Sequence, residues 1–270
     1  MSTTGVNSQR TAGVLNRIVE ARRASMEKRR RLHPLPVLRM AVEKASPPRD
    51  FAAALTRPGL NVIAELKKAS PSRGILRGDF QPVVLASALA QSGAAALSVL
   101  TEEEFFQGAL THLKVARAAV DVPVLRKDFI FDPWQVWEAR SAEADSFLLI
   151  AAILEEAQLV ELLGAGRELH MEPLVEVHSR DELGRVLRAG ARIIGVNNRD
   201  LHTFEVRVQA SLDLIGEIPD ECIAVSESGL RTHDDVRRLG AAGFDAFLIG
   251  ETLMQAADPG LALAEMLGAP

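Results

Sequence analysis

Eight short runs of apolar and β-branched residues recur from Asn61 onward: NVIAELK, AAALSVL, VPVLRKDF, DSFLLIAA, MEPLVEVH, ARIIGVNN, CIAVSES and DAFLIGE. Between them lie segments with helical spacing, among them DPWQVWEARSAEA, EEAQLVELLGAGREL, SRDELGRVLRAG and THDDVRRLGAAG. Gly93, Gly190 and Gly243 fall just before the next run, where a left-handed helix C-cap calls for glycine. Strands alternating with helices predict βαβ units and a parallel sheet. Eight such units in a chain of 270 residues predict closure into a single α/β domain, a (β/α)8 TIM barrel, because these barrels run to about 250 residues as one domain. An open doubly wound sheet is the alternative; its dinucleotide signature, G-x-G-x-x-G after the first strand, is absent from the sequence.

The segment before the barrel divides in two. Residues 1–12 are rich in Ser, Thr and Gly and are expected to fray. Residues 13–60 are expected to form a helical extension of the 61–270 barrel. Val14, Leu15, Ile18, Val19 and Met26 make a helical apolar stripe. The other face carries Arg22, Arg23, Lys28, Arg29, Arg30 and Arg31 and reads as a solvated charged face. A second, short helix is expected around Asp50–Leu55. The net charge of −5 and pI near 5.8 argue against nucleic acid as a partner, since a phosphate backbone requires a clustered basic surface. Cys222 is the one cysteine, so neither an intramolecular disulfide nor a cysteine zinc site can form, which fits a reducing compartment. The N-terminus has no apolar leader core, and no apolar run approaches the ~20 residues needed to span a bilayer. The expectation is a cytoplasmic protein without membrane contact, a monomer or a weakly associating one.

Strands buried on both faces should read as continuous apolar runs, so polar residues at their carboxyl ends require a reason. Alternation places Glu65 and Lys67 of strand 1 on one face, pointing inward. By the same parity Lys127 points inward from strand 3 and Glu176 from strand 5, while Asn197 ends strand 6 and Glu227 ends strand 7. Burying that many charges costs several kcal/mol each before pairing. A structural ion-pair cap would account for them, but an active site, which such barrels build at this end, accounts for them better. Ser226-Glu227-Ser228-Gly229-Leu230 and Ile249-Gly250-Glu251-Thr252 bring glycines to the turns after strands 7 and 8, the recurrent phosphate site of barrel enzymes. The loop Lys67–Gly74 is long and polar enough to cover the mouth. The extension from about Val14 to Leu55 is expected to act as a helical lid, with its apolar stripe docked on the rim.

These residues resemble the indole-3-glycerol phosphate synthase family. Glu65–Ser72 matches its E-x-K-x-x-S-P-S signature. SVLTEEEFFQG, LRKDFI, MEPLVEVH, GVNNRDL, SESGL and LIGETLM follow in order, so that the likeness spans Leu15 to Met266. The resemblance implies cyclisation of 1-(2-carboxyphenylamino)-1-deoxyribulose 5-phosphate with loss of CO2 and then of water, without cofactor or metal. It implies Lys127 as the general acid, Glu176 as the base for dehydration and Lys67 as a second cation. Glu65, Asn197 and Glu227 would orient these groups, with Arg199 and Ser228 lining the same mouth. Phe106, Phe129 and Leu148 would wall the aromatic ring. Ser70, Gly229, Gly250 and Glu251, the last through its backbone N–H, would face the phosphate. Two other readings remain: a sugar-phosphate isomerase on the same barrel, which would need a cysteine base where Cys222 does not fall, and an inactive ligand-binding barrel.

Overall fold

In the computed structural model of the chain, residues 5–200 and 203–269 are described, with side chains from residue 13. Eight parallel strands close into a barrel in chain order: β1 (Asn61–Leu66), β2 (Ala96–Leu100), β3 (Val124–Lys127), β4 (Ser146–Ile150), β5 (Leu174–Val177), β6 (Ile193–Asn197), β7 (Ile223–Glu227) and β8 (Ala246–Ile249). The register Asn61↔Ala246 through Ala64↔Ile249 joins the last strand to the first and rules out the open sheet. All six residues of β1 are buried, as a parallel sheet inside a helical ring requires. Ile63, Leu125, Leu148, Leu174, Ile193 and Val225 fill the barrel. Val62, Leu66, Val99, Val175 and Ile194 face the surrounding helices.

Three helices precede the barrel: α1 (Gly5–Leu32), α2 (Leu35–Lys44) and α3 (Phe51–Leu55). The ring is α4 (Pro82–Gln91), α5 (Leu110–Ala119), α6 (Pro133–Ser141), α7 (Glu156–Glu168), α8 (Arg180–Arg188), α9 (Gln209–Leu214), α10 (His233–Ala241), α11 (Glu251–Gln255) and α12 (Pro259–Met266). Side chains set several starts. Asp132 and Thr232 form capping boxes on α6 and α10, and Ser179 accepts from Glu182 N at the head of α8. The glycines expected to end helices do so, with φ of 98° at Gly93, 85° at Gly190 and 111° at Gly243.

The extension does not behave as one lid. Part of it lies at the mouth: Ile18 is buried, and Val14, Leu15 and Ile18 line the same cavity as Phe106. α3 sits at the opposite end. Its Phe51 and Leu55 join the apolar filling of the barrel. Just after it, Arg57 donates to Ala95 O at 2.7 Å and Asn61 to Asp245 O at 3.1 Å, both acceptors lying immediately before a strand. Two bulky apolar side chains thus plug the floor while α1 covers part of the top, and α2 crosses between them against α6, next to Trp134, which donates to His33 O.

The basic face of α1 is solvated only in part. Arg22 is 1% exposed and donates to Asp128 at 2.7 Å, and Arg29 pairs with Glu138 at 2.8 Å. Arg30 pairs with Asp132. Lys28 and Arg31 face solvent, as does Arg23, whose guanidinium stacks 4.8 Å over the Phe131 ring. The fraying expected of residues 1–12 concerns residues 1–4, which lie outside those described, and the first turns of α1, whose side chains do also. Among the described residues no helix is long and apolar enough to cross a membrane.

Candidate active site

Alternation along the strands delivers the charged residues to one place. Lys127 Nζ donates to Glu227 Oε2 at 2.7 Å and to Glu176 Oε2 at 3.1 Å. Lys67 Nζ lies 2.7 Å from Glu65 Oε1. Asn197 donates to Glu176, and its Oδ1 accepts from Arg199 N at 3.0 Å. All six predicted catalytic positions line a single cavity at the carboxyl end of the barrel. Two glycines make room for the carboxylates. A Cβ on Gly195 would collide with Glu227 Oε1, and one on Gly250 with Glu65 Oε1. Gly250 therefore has a second role beyond the phosphate-side position expected for it, and a larger residue there would displace Glu65 directly.

The electrostatics follow from three buried carboxylates facing two ammonium groups. Burial opposes the charge on Lys127, but Glu227, Glu176 and Glu65 outweigh it and hold the ammonium above its ordinary range. Burial also raises Glu227, reinforced by Glu176 and Glu65 against the pull of Lys127, and pushes it up to about 7. Glu176 is buried as well, yet Lys127, a neighbouring imidazolium and the Asn197 amide bring it below the usual carboxylate range. Of two carboxylates sharing one ammonium, Glu176 keeps its charge and Glu227 takes up the proton. A fixed cation thus stands between a carboxylate held ionised and one poised near neutrality.

The rest of the mouth divides into an apolar and a polar side. Phe106 and Phe129 lie with ring centroids 6.1 Å apart, and Leu148 closes the wall from β4. Phe106 is held there by Glu102, whose carboxylate accepts the N–H groups of Glu104, Phe105 and Phe106. Across the cavity the first loop folds into a small hairpin, Ala69–Ser70 against Gly74–Ile75, which presents Ser70, Pro71 and Ser72 to the cavity. Ser228, Gly229, Gly250 and Glu251 lie on the same side. Gly229 has φ of 81°, and a Cβ there would collide with Val206. The Glu251 carboxylate ties two loops together, 3.1 Å from Arg73 and 2.9 Å from Arg199. Every predicted site residue therefore falls on this cavity. Leu201, the last residue of the GVNNRDL match, lies outside the described residues. Cys222 is at the amino end of β7, its Sγ near Ala191 O, so the isomerase reading has no cysteine at the mouth.

Three features were not recognised in the sequence. His178 lies beside Glu176; its place two residues further along was the available signal. Asp128, alternating outward from Lys127, joins Arg22 and Arg126 behind the site. Asn198 links β6 to β7, donating to Ser226 Oγ and Ser228 O and accepting from Ser211.

Comparison with known proteins agrees with this geometry. The family model for indole-3-glycerol phosphate synthase matches residues 15–266. The protein of that name from Albidiferax ferrireducens is 48% identical over 259 residues, covering 94% of this chain and 97% of its own length. The one from Laribacter hongkongensis is 48% identical over 258 residues, covering 94% and 98%. Among solved structures, 3-hexulose-6-phosphate synthase from Salmonella typhimurium superposes with a TM-score of 0.61 at 12% identity, over 78% of this chain and 98% of that one. At that identity the likeness is one of fold alone.

Proposed function

Since the chain belongs to the indole-3-glycerol phosphate synthase family, we propose that its mouth carries out the family's ring closure through the residues below. The activity is that of a carboxy-lyase in tryptophan biosynthesis. The substrate is 1-(2-carboxyphenylamino)-1-deoxyribulose 5-phosphate, bound with its aromatic ring on Phe106, Phe129 and Leu148. Its phosphate faces the backbone N–H groups at Gly229, Gly250 and Glu251 together with Ser70, an arrangement that suits an anion at loop and helix starts. The protein acts as a cytoplasmic monomer on this small molecule, with no nucleic acid or membrane as partner.

Lys127 is the general acid. An ammonium held above its ordinary range releases its proton only to a strongly basic oxygen. It therefore donates late, as the ring carbon attacks the substrate carbonyl and an alkoxide develops, which couples the transfer to ring closure. Burial of the aromatic carboxylate against the phenylalanines favours its loss as CO2. Glu176, kept ionised, then removes the proton for dehydration, with Lys127 and Lys67 the available acids for the departing hydroxyl. Glu65, Asn197 and Glu227 hold these groups and the sugar hydroxyls in place, and Arg199 and Ser228 complete the rim.

The observation that carries this reading is the Lys127 ammonium bridging Glu176 and Glu227 inside a half-apolar cavity. Purified protein mixed with the substrate should give the fluorescence of the indole product. Absence of product, or full turnover in Lys127→Ala, would remove the assignment.

A further inference from the structure

An imidazole stands behind Glu176 that none of the steps above uses. His178 follows β5, two residues after Glu176, and its Nε2 lies 3.5 Å from Glu176 Oε1. On its other side Nδ1 lies 3.6 Å from Glu182 Oε2. Glu182 is itself held in place: it accepts the His178 backbone N–H at 2.7 Å, and its own N–H donates to Ser179 at the head of α8. The ring is 15% exposed, and both its nitrogens are enclosed and form no hydrogen bond, the two carboxylates standing at ion-pair distance. A neutral imidazole carries one N–H and one lone pair, so it would turn a lone pair toward one of these carboxylates. The imidazolium, with an N–H on each nitrogen, matches both.

We propose that His178 is a positioning residue for Glu176: as an imidazolium held between Glu182 and Glu176, it orients the Glu176 carboxylate and keeps it ionised as the base. This rests on the base role given to Glu176 above. The charged groups facing the pair alternate in sign along one line, Glu182, His178, Glu176, Lys127 and Glu227, with Glu65 beyond Lys127 and Arg185 beside Glu182. Burial works against the charge on His178, but Glu182, Glu176 and Glu227 outweigh it and hold the ring above the ordinary histidine range. The same charge helps to hold Glu176 low. Each group therefore stabilises the ionised form of the other.

The test compares kcat and KM across pH for the wild type, His178→Gln, Glu182→Gln and Glu176→Gln. Glutamine at 178 keeps a hydrogen-bond donor and removes the charge. In His178→Gln we expect kcat to fall about tenfold, part of the range of a general base, with KM nearly unchanged and the acid limb of the kcat profile moved to higher pH. Glu182→Gln leaves the imidazole in place and should move the limb the same way by less. A profile in His178→Gln superimposable on the wild type would overturn the proposal, as would a loss confined to KM. Titration of the His178 ring by NMR separates this failure from that of the underlying reading, because it needs no turnover. The ring should titrate above the usual ~6.5 in the wild type and lower in Glu176→Gln; an unchanged titration overturns the contact itself. Full activity in Glu176→Gln would refute the base role and the catalytic part of this proposal with it.

Discussion

Replacing Asp128 with asparagine tests the network that docks α1 behind the active site. Asp128 accepts from Arg22 at 2.7 Å, from Arg126 at 3.0 Å and from Thr101. Arg22 is 1% and Arg126 0% exposed. The second carboxylate, Glu138, already serves Arg126 and Arg29 at 2.8 Å each and is 3.9 Å from Arg22. Three guanidinium groups thus share two buried carboxylates, Arg29 reaching the exposed Glu103 as well at 3.2 Å, and Asp128→Asn leaves one of the buried two. Removing one partner of a buried ion pair typically costs about 3–5 kcal/mol. Asparagine keeps the oxygen that accepts from Phe129 N but puts an NH2 donor where Oδ2 accepts from both arginines and Thr101, so the whole of that range applies even with Glu138 in reach. At roughly 2–4 °C per kcal/mol for a domain of this size, the melting temperature should fall by about 6–20 °C.

The sign of a second substitution makes the reasoning refutable. If the cost comes from stranding Arg22 as a buried charge, Arg22→Met in the Asp128→Asn background should restore part of the loss, although Arg22→Met alone removes a native pair. The two changes should be non-additive, as contacts within one network are. Thermal unfolding followed by circular dichroism measures all four proteins. A single variant melting within about 2 °C of the wild type, or a double variant melting below Asp128→Asn, would refute the account.

Lys127→Ala should lower kcat by about 10² or more, the scale of a lost general acid, with the circular dichroism spectrum unchanged; near-wild-type turnover would end its assignment. Glu227 is held near 7 in the fold, above an unfolded carboxylate. The unfolded chain therefore releases this proton first as pH rises, and stability is lost from about pH 4.5 up to about 7. Glu227→Gln removes that loss, so its melting temperature relative to wild type should climb between pH 4.5 and 8 while activity drops; a constant difference would contradict the raised pKa. Gly229→Ala, strained at φ of 81° and driven into Val206, should raise KM for the phosphorylated substrate with little further effect on a dephosphorylated one. Equal losses on both would make the glycine purely structural. Gly250 is unsuited to this test because its substitution displaces Glu65.

The barrel was legible because a parallel strand buried on both faces shows itself as an apolar run, and because parity assigns every residue of such a run to the inside or the outside. Glu65, Lys67, Lys127 and Glu176 were placed by that rule, and Asn197 and Glu227 by ending their strands. What remained hidden depends on partners distant in the chain. The arginines of α1 look like a solvated face until Asp128 and Glu138, more than a hundred residues away, are known to meet them. Nothing local in Phe51-Ala-Ala-Ala-Leu55 tells a lid from a floor plug, since both are short apolar helices. Gly195 and Gly250 read as strand and turn glycines, whereas their use is to vacate space for a carboxylate from another strand. His178 stood within a recognised motif, but only the third dimension brings Glu182 to its far side.

The extension and the chemistry meet on three consecutive residues. In Arg126-Lys127-Asp128, alternation sends Lys127 into the mouth and Arg126 and Asp128 outward to α1 and α6. A lid resting on the rim by apolar contact alone could be removed with loss of substrate binding and little loss of stability. Here removal of residues 1–45 takes away Arg22 and Arg29 as well, leaving Asp128 and Glu138 short of their cations. The two backbone positions flanking Lys127 lose part of their anchorage, and a misplacement of about 1 Å in a positioned group can cost 10²-fold in rate. Truncation should therefore lower melting temperature and kcat together, with kcat measured well below the new melting point so that unfolding does not contribute. KM should rise too, because Val14, Leu15 and Ile18 leave the cavity wall. A truncated protein that melts lower but keeps the wild-type kcat would show that the outward network braces the barrel without holding Lys127 in place.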